Sequence, residues 1–532
     1  MSVFVPRPFD RRDLLKRFGA VAAAALGVPA AASPALAQPV FAKYPFALGV
    51  ASGDPTPDGF VIWTRLAPEP MEPGSGMPNA GVEVEWELAA DDRFRNKVLV
   101  GKAFARPELG HAVHVEISGL EPGRDYWYRF RCGRERSMQG RARTAPAAGA
   151  DLARARFAVC GCQDLEQGWF DAFRHLAAEQ PDFVYHYGDY IYEYRTRNFY
   201  RNPHEDLLIP CVRRHEGDES TSLENYRQRY AQYKLDFNLQ LAHAAAPWYV
   251  TWDDHEIVNN WVGDHEGWNK TPPEYFLLRR AAAAQAFYEN MPLRRGAWPK
   301  GPEIQLYRRY AYGGLMDLHF LDTRQYRSPQ PCGDGFEPVC ADIDDPKATV
   351  LGDAQERWLL DGLRGSRARW NVLAQQVMMM SMDRAEDDRV LLNMDTWAGY
   401  APATRRLLKA LQERRKADVV VLSGDEHQNI VGDLRLDYRD DRSPVLATEF
   451  VGTSITSGGD GGDKRPEADQ LLAQNPHLRF LNDQRGYVLC EVTPDLWTTT
   501  MRVMDRVRVP EGRISTRASF VVERGQAGAK QA

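Results

Sequence analysis

The chain has 532 residues, 43% of them hydrophobic and 26% charged, with a formal net charge of −6. This is globular composition, long enough for two or more domains. No Lys/Arg-rich run accompanies the mild negative charge, which argues against a nucleic-acid-binding module, and no stretch of roughly 20 strongly apolar residues predicts stable membrane insertion. Positive charge for an anionic substrate must then be local, from metals or a few arginines. The seven cysteines are odd in number, so no disulfide scaffold is expected. Cys332 and Cys340 sit in a Pro/Gly-rich stretch and could bridge in an oxidising compartment.

In chain order, the first element is a processing segment. Asp10-Arg11-Arg12-Asp13-Leu14-Leu15-Lys16 resembles a twin-arginine export signal. An Ala-rich stretch, Phe18 to Leu26, and a small-x-small site, Ala35-Leu36-Ala37, follow it. Residues 1–37 are therefore expected to be removed, with a mature chain starting at Gln38, the twin-arginine machinery as a partner, and a periplasmic or secreted location. That route carries folded proteins and suits a cofactor loaded before export.

Residues 38–148 read as an all-β domain. Val82 to Leu88 and His111 to Ile117 alternate with period two, Gly119-Leu120-Glu121-Pro122-Gly123 is a turn, and Asp125 to Arg131 is an aromatic strand. The spacing predicts a β-sandwich of roughly 100 residues, and its Leu-x-Pro-Gly-x-x-Tyr-x-Tyr run resembles a fibronectin type III sandwich. No titratable cluster in it suggests chemistry. After a linker, Ala145 to Ala150, residues 149–532 alternate strand and helix: strands at Arg156–Cys160, Asp182–Tyr187, Trp248–Trp252, Leu315–Leu321, Trp370–Gln375 and Asp418–Leu422, helices at Glu166–Ala178, Asp353–Leu363 and Thr404–Arg414. This is the pattern of an α/β layered domain.

Ligands of such sheets gather at the C-terminal ends of the strands. Four strand ends here carry metal-capable groups: Cys160-Gly161-Cys162-Gln163-Asp164; Gly188-Asp189-Tyr190-Ile191-Tyr192-Glu193; Asp253-Asp254-His255-Glu256 with Asn259-Asn260; and Ser423-Gly424-Asp425-Glu426-His427. Thiolate, phenolate and imidazole suit a transition metal, phenolate favouring Fe(III), while Asp and Asn oxygens suit Ca²⁺ or Mg²⁺. Two adjacent metals could clamp an in-line phosphoryl displacement and generate a hydroxide nucleophile. Single residues also have plainer explanations. Cys160, His186 and His319 fit a packed core, and Gly458 to Gly462 lacks the strand–loop–helix frame of a phosphate cradle.

The ordered set Cys-Gln, Gly-Asp-Tyr-Ile-Tyr-Glu, Trp-Asp-Asp-His-Glu and Ser-Gly-Asp-x-His resembles the PhoD-like alkaline phosphatases of the calcineurin-like metallophosphoesterase class. Leu321 to Arg327, Leu351 to Leu359, Thr453 to Ser457 and the N-terminal phrase Gly49 to Pro55 with Trp63-Thr64-Arg65 agree, so the resemblance spans nearly the whole mature chain. It implies a metallophosphoesterase-type catalytic domain behind the sandwich, and hydrolysis of phosphate monoesters or diesters by metal-bound hydroxide at a dinuclear Fe(III)/Ca²⁺ centre, other divalent metals remaining open. By carry-over, Cys162, Tyr192 and His427 bind iron, Asp189 bridges, and Asp425 and Asn260 belong to the calcium side. The class pattern Gly-Asn-His-Glu aligns Asp254 with a ligand and His255 with the phosphate-facing histidine, and Asp253 stays open as an alternative ligand. Catalytic roles fall to His255 and Asp189, substrate binding to His255 and Arg324; the plainer reading of Arg324 and Arg327 is structural pairing with Asp322. Cys160, Ala398 and Glu426 depart from the family pattern. The alternative is a non-catalytic exported protein that binds metal or phosphate on the same fold.

Overall fold

Apolar alternation decides which layer each strand face meets. In the computed structural model, which describes residues 40–202, 207–267, 271–414, 418–440 and 442–532, the export segment 1–37 lies outside the described residues. The first strands are β1 (Val50–Thr56), β2 (Gly59–Arg65), β3 (Val82–Ala89), β4 (Lys97–Ala105), β5 (Ala112–Ile117), β6 (Asp125–Cys132), β7 (Glu135–Arg136) and β8 (Gly140–Arg143). Strands β4, β3, β6 and β7 form one sheet, with β8 added along β6. Strands β1, β2 and β5 pack against it through Val50, Phe60, Ile62, Val84, Leu88, Tyr128 and Phe130.

There follow β9 (Ala155–Cys160), β10 (Phe183–His186), β11 (Phe199–Asn202), β12 (Leu207–Pro210), β13 (Trp248–Val250), β14 (Arg308–Tyr312), β15 (Met316–Phe320), β16 (Phe336–Pro338), β17 (Trp370–Ala374), β18 (Leu391–Asn393), β19 (Val419–Ser423), β20 (Asn429–Arg435), β21 (Val445–Val451), β22 (Leu478–Asn482), β23 (Gly486–Val492), β24 (Leu496–Met504), β25 (Ile514–Glu523) and β26 (Lys530–Gln531). Two large sheets result, in the orders β26-β25-β24-β23-β9-β10-β13-β1-β2-β5 and β14-β15-β17-β19-β21-β20-β22. Their centres are parallel: β9 with β10, β10 with β13, and β15 through β17 and β19 to β21.

The sheets stack face to face. Phe157 and Val159 of β9 meet Leu318, Val372, Val420 and Leu422 between them, while the alternate Ala158 and Cys160 face the outer helices. On β19 the alternate Val419 and Val421 face the opposite helical layer. Helices Asp171–Ala178, Leu223–Lys234, Phe237–Ala245 and Pro273–Asn290 cover one outer face and Gly352–Gly365 and Ala401–Arg414 the other. Period-two patterning with apolar residues on both faces is what a doubly covered sheet requires.

The strands before residue 148 are continuous with the rest of the fold, because β1 joins the ten-stranded sheet by parallel pairing with β13, Gly53 opposite Trp248. Residue 148 marks a change of pattern rather than a gap in packing. The helix expected from Glu166 begins at Asp171. Glu166 is fully buried, and its carboxylate accepts hydrogen bonds from Thr196, the Arg197 backbone and the His215 backbone, which holds the segment before the helix in a turn.

Candidate metal centre

The parallel strands β9, β10, β13 and β19 end at one edge, so the four loops that follow them converge. A single ring sets their spacing. A Cβ on Gly161 or Gly424 would lie 2.2 or 2.3 Å from ring atoms of Tyr187, and only glycine admits that approach. The Tyr187 hydroxyl donates to the Thr453 carbonyl at 2.6 Å, drawing in a fifth loop. The backbone of the candidate ligands is unusual: Cys162 (φ 53°), Asp189 (55°), Asn260 (54°), Asp425 (68°) and His427 (55°) are all left-handed. Non-glycine residues occupy that region at a cost of about 1–3 kcal/mol each, and such residues cluster at functional sites.

The side chains form three overlapping groups. Ligand atoms of Cys162, Asp189 and His427 lie within 4.8 Å of one another, as do those of Asp189, Asp254 and His255, and those of Asp253, Asp254 and Asp425. Asp189 belongs to the first two and Asp254 to the last two, so the set runs from a thiol–imidazole end to an all-carboxylate end. Tyr192 stands at the first end. Its hydroxyl donates to Asp189 Oδ2 at 2.9 Å and lies 3.3 Å from His427 Nε2 and 2.6 Å from Ser457 Oγ. Asn260 stands at the second, its backbone N–H donating to Asp254 Oδ2 at 2.8 Å.

Charge explains what these residues require. Burial, then Asp254, raises the Asp189 carboxyl well above the usual carboxylate range. Burial lifts Asp253 to about 6 against the pull of Arg324. Burial opposes charge on Asp254 too, but His255 and Arg324 outweigh it and hold Asp254 below the usual range. Burial, then Asp189, raises the Cys162 thiol. Asp253 Oδ2 and Asp254 Oδ1 are buried without a hydrogen-bond partner among the described residues. Each buried acceptor left without a partner costs about 1–3 kcal/mol, more on a charged group. Cations between these groups would neutralise the carboxylates, take up the orphaned oxygens and favour the thiolate. The residues thus fit a dinuclear metal site.

Around the ligands lies a supporting shell. The Glu256 carboxylate accepts from the backbone N–H groups of Asp189, Tyr190 and Asp253 at 3.1, 2.7 and 2.8 Å, tying two ligand loops together. His255 Nδ1 is 2.7 Å from Glu193 Oε2, and its ring stacks on Tyr192 with centroids 4.1 Å apart. Burial lowers the affinity of His255 for a proton, but Asp254, Glu193 and Asp189 outweigh it, and the imidazolium is favoured. Burial, then Arg485, draws His427 the other way, toward the neutral imidazole that a metal binds.

All ten residues expected from the sequence (Cys162, Asp189, Tyr192, Asp253, Asp254, His255, Asn260, Arg324, Asp425 and His427) come together here. Arg324 does so with Nη2 3.6 Å from Asp425 and without a hydrogen-bond partner among the described residues. Its side chain is 0% exposed, with Nε donating to Asp253 Oδ1 at 2.6 Å and Nη1 to Asp395 Oδ2 at 2.5 Å. Asp322 accepts from the Arg324 backbone instead of its guanidinium. Arg327 is likewise committed to Asp395, at 2.7 Å. Sequence reasoning assigned no role to Glu193, Glu256, Asp395, Ser457 or Asp334. Glu193, Glu256 and Ser457 lie inside phrases quoted above and Asp395 three residues before Ala398, whereas Asp334 sits in an irregular stretch with no pattern to mark it. Cys332 and Cys340 are disulfide-bonded.

Comparison with known proteins agrees with this geometry. Residues 157–501 match the PhoD-like phosphatase family, and residues 30–146 match the N-terminal domain of PhoD-like phosphatases. The chain is 45% identical over 537 aligned positions to alkaline phosphatase D of Bacillus subtilis (strain 168), covering 99% of this chain and 90% of that protein. It superposes on a solved structure of PhoD with a TM-score of 0.90 and 46% identity, covering 93% of each chain. With both of its parts matched in order and its strand-end residues gathered into one site, the chain belongs to the PhoD-like phosphatase family.

Proposed function

We propose that this chain is an alkaline phosphatase D-type enzyme that hydrolyses phosphate esters at a two-metal centre. The observation that carries the reading is Asp189, which groups with Cys162 and His427 on one side and with Asp254 and His255 on the other, Asp254 continuing the set to Asp253 and Asp425. Bound metals would supply Lewis acidity toward the phosphoryl oxygens and lower the pKa of a water. The protein's own residues supply the rest. Glu193 takes Nδ1 of His255, which leaves Nε2–H as the donor for the departing ester oxygen. Arg324 grips Asp253 and Asp395 and positions the carboxylate end of the site. Phosphate binding without turnover of any ester would favour the non-catalytic reading instead. Replacing His255 with Asn should cut turnover of chromogenic phosphate esters roughly 10²- to 10³-fold while metal content is kept. Unchanged kcat on both a monoester and a diester would remove His255 from the proton transfer.

We further read the two stacked sheets with outer helices as a metallophosphoesterase-type scaffold and the strands before residue 148 as a fibronectin-like sandwich. The donor set supports Fe(III) held by Cys162, Asp189, Tyr192 and His427, and Ca²⁺ held by Asp254, Asn260 and Asp425 with Asp253 beside them. The purified protein should therefore be coloured, because phenolate and thiolate donors give Fe(III) a visible charge-transfer band. Tyr192→Phe should shift or bleach that band. A colourless, zinc-only protein of full activity would overturn the iron assignment and leave two-metal hydrolysis standing.

The Arg11-Arg12 pair supports export by the twin-arginine route to the periplasm or beyond. Changing both to Lys should trap precursor inside the cell. Normal export of that variant, followed by immunoblotting of cell fractions, would refute this route.

A further inference from the structure

Asp334 lies on an irregular stretch between two glycines with left-handed backbone, Gly333 and Gly335. Such a segment has no conformation of its own to hold a side chain in place. It is fixed here from outside. The Cys332–Cys340 disulfide closes its base, the Met394 N–H donates to the Gly335 carbonyl at 2.7 Å, and β16 pairs with β18, Phe336 opposite Asn393. Gln330, just before the disulfide, donates to Asp395 Oδ1 at 2.8 Å.

The segment delivers one contact to the metal centre: Asn260 Nδ2 donates to Asp334 Oδ1 at 2.7 Å. A carboxylate can only accept, so chemistry fixes which way the Asn260 amide faces. Its nitrogen is turned to Asp334, and its oxygen is left for a cation. The Asn260 backbone is held at the same time by Asp254. Asp334 keeps its other oxygen, Oδ2, buried and without a hydrogen-bond partner among the described residues.

We propose that Asp334 is a positioning residue for the oxygen-ligand half of the metal centre, and that the Cys332–Cys340 disulfide is the clamp that presents it. The inference rests on the two-metal reading above. Asp334 selects the amide orientation in which Asn260 offers oxygen rather than nitrogen, and the disulfide holds the glycine-flanked segment where Asp334 can do so. Outer partners of metal ligands typically govern affinity by about 10- to 100-fold.

The test is a Ca²⁺ titration of iron-loaded, calcium-stripped protein by calorimetry, beside iron content and the unfolding temperature of the stripped form. Asp334→Ala should weaken Ca²⁺ binding about 10- to 100-fold with iron content and unfolding temperature unchanged, and Asp334→Asn, which keeps an acceptor, should recover part of the loss. Cys332→Ser with Cys340→Ser should weaken Ca²⁺ by a similar factor, and adding Asp334→Ala to that pair should change it by less than about twofold, as expected for residues acting as one unit. Calcium affinity of Asp334→Ala within twofold of the parent would overturn the positioning role. Full affinity in the disulfide-free protein would overturn the clamp. A parent protein that binds no divalent ion would remove the metal reading itself, an outcome distinct from both.

Discussion

Asp189→Asn should abolish nearly all turnover, lowering kcat/KM by about 10⁴-fold. The substitution keeps size and removes one charge from a residue common to two of the three overlapping groups. Metal-ion catalysis supplies several kcal/mol of transition-state stabilisation, and about 5 kcal/mol corresponds to that factor. The loss should appear as metal loss as well, since Asp189 also holds the Tyr192 hydroxyl and accepts the His255 backbone N–H at 3.3 Å. Metal analysis alongside the assay separates lost binding from lost chemistry. A metal-replete Asp189→Asn protein of undiminished activity would sink the bridging assignment.

Deleting the first 148 residues should leave a chain that does not fold, although the absence of titratable clusters there suggests a dispensable appendage. The reason is the parallel pairing of β1 with β13. Its removal opens an edge in the sheet that carries the ligands, and uncovers the buried surface that Leu48, Ala51 and Trp63 share with Ala231. Each large side chain loses roughly 1.5–3 kcal/mol of burial. Arg308, which donates to Asp54 at 2.8 Å, would be left inside without its carboxylate, and Asn290 without the Arg65 guanidinium. A domain with a total stability of about 5–15 kcal/mol does not survive such losses. Far-ultraviolet circular dichroism and proteolysis of the truncated chain check this. A folded, iron-binding fragment from Asp151 would show that the sheet closes without β1.

The ligand set was legible because it follows apolar runs at the ends of parallel strands. There the sequence places Cys, Asp, Tyr, His and Asn within a few residues of each turn, and the topology gathers them. Period-two alternation located β3 and β5, and apolar runs located β9, β10 and β19, each to within a residue or two. What stayed hidden depends on contacts between distant segments. Nothing near Gly53 announces that β1 pairs with Trp248, nearly two hundred residues on. Arg324 reads as a phosphate arm because arginine suits phosphate, and only packing reveals that Asp253 and Asp395 take two of its guanidinium nitrogens, Nε and Nη1. Glu166 fits a helical pattern, but its buried carboxylate is taken by residues 196, 197 and 215, which a local window cannot see. Asp334 has no periodicity around it, since its placement comes from a disulfide and one borrowed backbone hydrogen bond.

The Tyr187 ring, wedged against Gly161 and Gly424, bears on how this enzyme could be re-engineered. The loops after β9, β10 and β19 do not flex independently, because Tyr187 of the second meets Gly161 and Gly424 of the others at positions where no methyl group fits. A designer who seeks a different metal preference should exchange ligand side chains one at a time and leave loop lengths and glycines untouched. An insertion in any of these three would displace the ring and misalign the other two, so the tolerance of this part of the site is chemical at its tips and small at its base.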